Sequence, residues 1–391
     1  MMRLIGGILL VAGTTIGGGM LALPVATAQA GFFPSLLLFG VVWAFMAYTA
    51  FLFLEATLVA PKHANLVSMA RVTLGPVGEV IAWASYMLLL YVLMAAYITG
   101  SGALLAEAIP AMPPWVGPLP WVLLFGAMVY LGIRSVDKLN RVLMVGLVVA
   151  YLILVVMLGV RVEAKPLMAA HLPALAAPLS LVVTTFGFHI IVPSLVDYLG
   201  REVNRCRLCL LIGCLIPLVV YIAWEVVVLG VVPKGELLAI LKGGQPGPAF
   251  ASLFPRLTGR AVLGPVMWVL SVCALLTSFL GVSISLADFL RDGLKVSTSR
   301  LGRGMIAALT FIPPLAFALL YPSGFVLALS YGGPLVAILL GLLPTAMVWG
   351  ERYVRKKRLD YHVAGGKVAL LLSFCFFLLV VIVFFMTKGK A

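Results

Sequence analysis

Residues Gly13-Thr14-Thr15-Ile16-Gly17-Gly18-Gly19-Met20-Leu21-Ala22-Leu23-Pro24 lie in the middle of an apolar run from about residue 5 to residue 30. Glycine in a helix interior costs about 1 kcal/mol relative to alanine, so this glycine cluster predicts a membrane-length helix that opens here. In hydrocarbon, an opened helix is tolerated only where its freed backbone groups line a cavity or meet a ligand. The amides of the following half-helix, near Gly19-Met20, can receive a carboxylate, helped by the helix dipole. The carbonyls before them can receive a cation or an ammonium. An amino acid carries both charges on one carbon. Close helix packing through small residues is the alternative, but Gly17-Gly18-Gly19 is continuous rather than spaced along one face.

The rest of the chain shows what kind of molecule carries this break. Of 391 residues, 63% are apolar and 10% charged, against about 25% charge in a soluble domain. So little polar surface cannot cover a soluble core of this size, whereas a bilayer needs no such cover. Eleven apolar runs follow one another, at about 5–30, 34–60, 79–106, 119–133, 142–160, 175–199, 207–230, 261–289, 304–320, 324–349 and 367–387. The fourth is the weakest, because Pro110, Pro113, Pro114, Pro118 and Pro120 crowd its start. Tyr321-Pro322-Ser323-Gly324 is a turn that splits the ninth from the tenth. The longest connection, about 231–260, is rich in Gly and Pro and reads as a loop. Arg3 and Ala26-Thr27-Ala28 imitate a cleavable leader, but the glycine-broken run lacks a leader's smooth apolar segment, so the first span is expected to stay.

The formal net charge of +14 does not point to nucleic acid, because the basic residues fall in short clusters between apolar runs. With the N-terminus in the cytoplasm, the inner side holds Arg3, Lys62, Arg71, Arg134, Lys138, Arg141, Arg201, Arg205 and Arg207. It also holds Arg291, Lys295, Arg300, Arg303, Arg352, Arg355, Lys356, Lys357, Arg358 and Lys367, which makes 19 of the 27 lysines and arginines. The positive-inside rule then gives a cytoplasmic N-terminus and an external C-terminus. Cys206-x-x-Cys209 has no second pair and no nearby histidines, so neither a metal nor another cofactor is expected.

Sliding the chain by 170 residues lays Thr14-Thr15-Ile16-Gly17 on Thr184-Thr185-Phe186-Gly187 and Glu55 on Glu225. Five spans precede the second copy, so the two copies run in opposite directions. This predicts a five-plus-five inverted repeat with broken spans 1 and 6. The halves are 1–165 and 166–350, and 351–391 holds a cytoplasmic basic loop and an extra eleventh helix. In span 6, Phe186, Gly187, Phe188 and His189 flank the expected opening, with Pro193 one turn on. An ionisable residue inside a membrane is a candidate functional group. For His189, a neutral ring bonded to the backbone is the alternative. Glu55 and Glu225 are the carboxylates placed inside spans, so they join His189 as candidates for a proton relay. Snorkelling to the membrane surface is the alternative for Glu55. Phe186, Phe188, Tyr91, Met94 and Tyr97 could line a pocket for an aromatic ring, or pack the bundle.

The string from Gly13 to Pro24, with Gly31-Phe32 after it, resembles the first helix of the bacterial hydroxy and aromatic amino acid permeases, within the amino acid-polyamine-organocation superfamily. Thr277-Ser278-Phe279-Leu280-Gly281 with Asp288-Phe289 and Asp292-Gly293 resembles that family's eighth helix. The similarity runs over nearly the whole chain. Gly18 stands where alanine is expected. The resemblance implies a transporter rather than an enzyme: a symporter that brings tyrosine or tryptophan through the inner membrane on a cation gradient, usually of protons. On that fold, the substrate's charged groups meet Thr15, Ile16, Gly17, Gly18 and Gly19, and its ring meets Tyr97, Phe186, Gly187, Phe188 and His189. The eighth helix would pack beside the first break. Ala274, Thr277 and Ser278 share one helix face and, with the carbonyls of Gly13 and Ile16, resemble the sodium site of sodium-coupled members. Thr277 and Ser278 bonding back to their own helix is the alternative. The two sources disagree on the ion, and the proton is favoured. The expected partners are the amino acid and membrane lipid. An exchanger or exporter of another small amino acid, a channel and an intramembrane enzyme are the rival readings. No H-E-x-x-H motif supports the last.

Overall fold

The computed structural model describes residues 2–61, 65–109, 111–131, 136–297, 299–356 and 361–388, which are helical with no strand among them. Lys62, Pro110, Arg134, Lys357 and Arg358, used above, lie outside the described residues, as does the side chain of Lys138. The first span is two helices, α1 (Met2–Thr15) and α2 (Gly19–Thr27), bent by 52° across residues 16–18. Next come α3 (Phe32–Val59), α4 (Leu66–Ala108), α5 (Pro118–Leu131) and α6 (Val136–Gly159). A short α7 (Ala164–Leu167) leads to the sixth span, which is again broken into α8 (Leu179–Thr185) and α9 (Val192–Tyr198). The seventh span is α10 (Val203–Val231); α11 (Lys234–Gly243) and α12 (Pro246–Thr258) follow it. The remaining helices are α13 (Leu263–Leu294), α14 (Arg300–Leu320), α15 (Phe325–Val336), α16 (Leu343–Trp349) and α17 (Gly366–Lys388). Wider π-helical turns, Ala337–Leu342 and Gly350–Val354, join α15 to α16 and extend α16.

Among the described residues, nine helices are long and apolar enough to cross a bilayer, or ten when the bent pair counts as one. The chain is therefore a multi-pass α-helical membrane protein. The fourth expected span, α5, is described over 14 residues, about 21 Å at 1.5 Å per residue, up to Leu131, where this stretch of described residues ends.

Three expectations need correction. The stretch 231–260 is two helices, not a loop. Its glycines are the terminators: Gly244 (φ 69°) and Gly259 (φ 70°) take the left-handed conformation that ends α11 and α12. The third span begins at Leu66, where the Asn65 side chain accepts from the Ser68 amide at 2.8 Å. The chain then kinks at Gly75-Pro76 and runs on to Ala108. Finally, the helix of the tenth span continues through 351–354, which the charge pattern had assigned to a basic loop.

That continuation matters because it carries Arg352 into the interior. The Arg352 side chain is 7% exposed and Glu55, on α3, 1%. Arg352 Nε donates to Glu55 Oε1 at 2.6 Å, and Nη2 donates to Oε2 and to the Val363 carbonyl. The Val363 amide donates to Oε2 at 2.8 Å, and His362 Nδ1 lies 3.6 Å from Oε1. Beside it, Arg201 Nη2 donates to the carbonyls of Thr57, Leu58 and Ala60 and so caps the end of α3. Removing one partner of a buried pair leaves an uncompensated charge, at a cost of about 3–5 kcal/mol. Arg352→Ala is therefore expected to lower the thermal unfolding midpoint in detergent by several degrees. Glu55→Gln/Arg352→Met should recover most of the loss, and an unchanged midpoint in Arg352→Ala would show that the pair does not hold this end together.

Candidate functional site

The break in the first span is set by space as much as by glycine's weak helix propensity. Gly18 has ordinary helical angles (φ −54°, ψ −24°). What its neighbours leave little room for is a side chain. A Cβ on Gly17 would run into Ser278 Oγ of α13. On Gly18 it would lie 2.7 Å from Leu275 Cδ2 and 3.2 Å from Tyr97 Cε1, and on Gly19 2.6 Å from Thr185 Cγ2. Three elements, α13, α4 and α8, thus close on three consecutive glycines.

The freed backbone groups can be followed one at a time. Ile16 N still donates to Ala12 O, and Met20 N donates to Gly17 O at 3.1 Å. Gly18 N donates to Ser278 Oγ at 3.4 Å. Among the described residues, the amides of Gly17 and Gly19 donate to no group, and no hydrogen bond reaches the carbonyls of Gly13, Thr14 or Ile16. An anion at the start of α2 would meet two open amides and a helix dipole.

The second break lies alongside. α8 stops at Thr185; Phe186-Gly187-Phe188 follows, then a tight helical turn, His189–Ile191, and α9. Ser180 Oγ donates to Ser330 O at 2.5 Å and Thr184 Oγ1 to Leu329 O at 3.0 Å, so α8 is pinned to α15. Phe186 and Phe188 are buried. His189 is fully buried, its Nε2 2.9 Å from Thr49 Oγ1 of α3, with Phe53 and Phe188 against its ring. Its Nδ1 has no partner among the described residues. Of the two other expected pocket residues on α4, Met94 is buried, whereas the Tyr91 hydroxyl turns out to Leu309 O of α14 at 2.9 Å.

One side chain that sequence reasoning missed joins the two breaks. The Tyr221 hydroxyl of α10 lies 2.7 Å from Thr15 O and 3.1 Å from Thr185 O. Its ring meets Phe186 edge-on at 5.2 Å. The clue in the sequence was its place four residues before Glu225, on the same helical face.

The oxygens expected to hold a cation are only partly brought together. Ser278 Oγ lies beside Gly17 and Gly18 and donates to Ala274 O at 3.0 Å. Thr277 Oγ1 donates to Cys273 O and Ala274 O of its own helix. Gly13 faces Met144 of α6.

The two glutamates matched by the repeat have different surroundings. Glu55 is bound by Arg352 and the Val363 amide, as described above. Glu225 is 1% exposed. Thr27 Oγ1, the last residue of α2, donates to its Oε1, and Oε2 has no partner among the described residues. A surface cavity of about 460 Å³, lined by Glu107, Ser252 and Trp268 among others, lies away from both breaks.

Comparison with known proteins places the chain among amino-acid permeases. Residues 1–384 match the tryptophan/tyrosine permease family. The chain is 38% identical to a tyrosine-specific transport system of Haemophilus influenzae, over 95% of this chain and 94% of that one. It is 30% identical to a tryptophan-specific transport protein of Pseudomonas aeruginosa, over 95% and 92%. It is 27% identical to a low affinity tryptophan permease of Escherichia coli, over 87% and 85%. These relatives are named as transport proteins and permeases, not as enzymes.

The contacts of the glycines rank two conservative substitutions. A methyl on Gly18 meets the far end of Leu275, which can turn away. A methyl on Gly19 meets a β-branched threonine whose Cβ and Cα stand 3.3 and 3.7 Å off. Gly18→Ala is expected to keep the unfolding midpoint within about 2 °C, while Gly19→Ala loses the 1–3 kcal/mol typical of overpacking. Equal midpoints for the two variants would refute the ranking.

Proposed function

The chain belongs to the tryptophan/tyrosine permease family, and from that premise we propose that it is a secondary active symporter importing aromatic amino acids, tyrosine first and tryptophan second, across the inner membrane. The observation that carries the reading is the meeting of two helix breaks at one point, where open amides at Gly17 and Gly19 lie within reach of the carbonyls of Thr15 and Thr185. The carboxylate binds the amides of Gly17, Gly18 and Gly19 beside Thr15 and Ile16, and the ammonium faces carbonyls of α1 and α8. The ring points to Tyr97, Phe186, Gly187, Phe188 and His189.

Two inverted halves, 1–165 and 166–350, with 351–391 outside them, account for how the helices pair. α1 packs on α10 while α8 and α9 pack on α3; α6 packs on α13 while α15 packs on α4. Each pair becomes the other when first-half and second-half spans are exchanged. In this reading α5 completes eleven spans, and the charge pattern puts the N-terminus in the cytoplasm and the C-terminus outside.

The coupling ion is a proton, and Glu225 carries it. A fully buried carboxylate with one open oxygen and a threonine partner has nothing to hold it ionised. It also touches the very half-helix whose other end takes the substrate carboxylate. Glu55 is held by Arg352 and is not free to do this. The cluster of Ser278 and Ala274 near Gly17 supports sodium as the second reading, through Gly13, Ile16, Ala274, Thr277 and Ser278.

The test is tyrosine uptake into proteoliposomes. A proton gradient alone should drive accumulation in the native protein. Glu225→Gln should accumulate at least tenfold less and still let tyrosine equilibrate downhill. Sodium-stimulated uptake that vanishes in Thr277→Ala/Ser278→Ala would replace the proton with sodium. Equilibration with no accumulation under either gradient would point to a channel.

A further inference from the structure

Tyr221 has no part in the binding scheme above, yet it is bonded to both breaks. It is fully buried, and its hydroxyl serves the last carbonyls of α1 and α8, Thr15 and Thr185. These two residues are the pair that the 170-residue offset superposes. Gly213, two turns earlier on α10, explains the close approach, since a Cβ there would lie 2.5 Å from Val11 Cβ of α1. The Phe186 ring fixes the phenol from the side.

A phenol has one proton to give, so it serves two carbonyls only as a shared donor. An ammonium has three donors and could satisfy both. Carbonyls with no donor are costly in a dry interior. A carrier also has to complete a cycle. In exchange, cargo is bound in both directions, whereas net uptake requires that the protein return with no ammonium in the site.

We propose that Tyr221 is a built-in substitute for the substrate ammonium: its hydroxyl caps the Thr15 and Thr185 carbonyls during the return step and yields them when an amino acid binds. Tyr221 is thus a positioning residue for the return, not a part of substrate recognition. This rests on the ammonium placement proposed above. Glu225, four residues on, holds Thr27 at the far end of α2, so one face of α10 grips the first span on both sides of its break.

The proposal separates two fluxes that a mere strut would not. In Tyr221→Phe proteoliposomes, tyrosine/tyrosine exchange should stay within about twofold of the native rate and tyrosine affinity within about threefold. Downhill net uptake should fall at least tenfold. The final accumulation under a proton gradient should be reached slowly but in full, which distinguishes this residue from Glu225. If exchange and net uptake fall together, or neither changes, the proposal is wrong. Should Tyr221→Phe not give a monodisperse protein, Tyr221→Met, an apolar side chain of similar reach, also removes the donor. Failure of both to fold would also overturn the proposal, because the hydroxyl would then serve the fold. Tyrosine binding unaffected by Gly19→Val would instead remove the binding site on which the inference rests, whatever the Tyr221 variants do.

Discussion

A peptide group in hydrocarbon has no water to fall back on, and this chain opens two of its spans at the same depth. Everything around the openings answers that constraint. Ser278 takes the Gly18 amide, and Tyr221 takes the carbonyls of Thr15 and Thr185. Ser180 and Thr184 fasten α8 to carbonyls of α15 before it ends. The amides of Gly17 and Gly19 are left for something else. The glycines are what allow it. With bulky side chains at 17, 18 and 19, α13, α4 and α8 could not approach closely enough to reach the opened backbone.

The two breaks were legible in the sequence because they rest on local chemistry, glycine in an apolar run and a matching Thr-Thr-x-Gly string 170 residues on. What could not be read is what depends on partners distant in the chain. Tyr221 in an apolar run looks like any packing aromatic, and only the fold shows that its hydroxyl lands between two chain segments 170 residues apart. Arg352 looked like one more basic residue at a membrane face, since nothing local says that its helix continues past Trp349 and carries it to Glu55. The 231–260 stretch misled for another reason. Gly and Pro were counted as loop formers, whereas Gly244 and Gly259 end helices and Pro246 begins one. Of the residues considered for a cation, Thr277 and Ser278 both bond back to carbonyls of their own helix, the alternative that spacing alone could not decide against.

The 170-residue offset pairs Glu55 with Glu225, and the structure gives the two carboxylates opposite surroundings. Under the inverted repeat proposed above, matched positions sit near opposite ends of the bundle, so each meets whatever the rest of the chain places there. At Glu55 the chain supplies a guanidinium with two donors and a backbone amide. Both of its oxygens are satisfied, and the pair is neutral overall. At Glu225 it supplies one threonine hydroxyl. A buried carboxylate so served is costly when ionised, and it can relieve that cost by taking up a proton or by moving. The same residue type therefore acts as a fixed clamp at one end and, under the proposed coupling, as a site that changes charge at the other. The clamp uses residues 352 and 363, both beyond the 166–350 segment. If the two halves are related as proposed above, this extension neutralises one of two matched carboxylates and leaves the other, Glu225, with a single threonine partner.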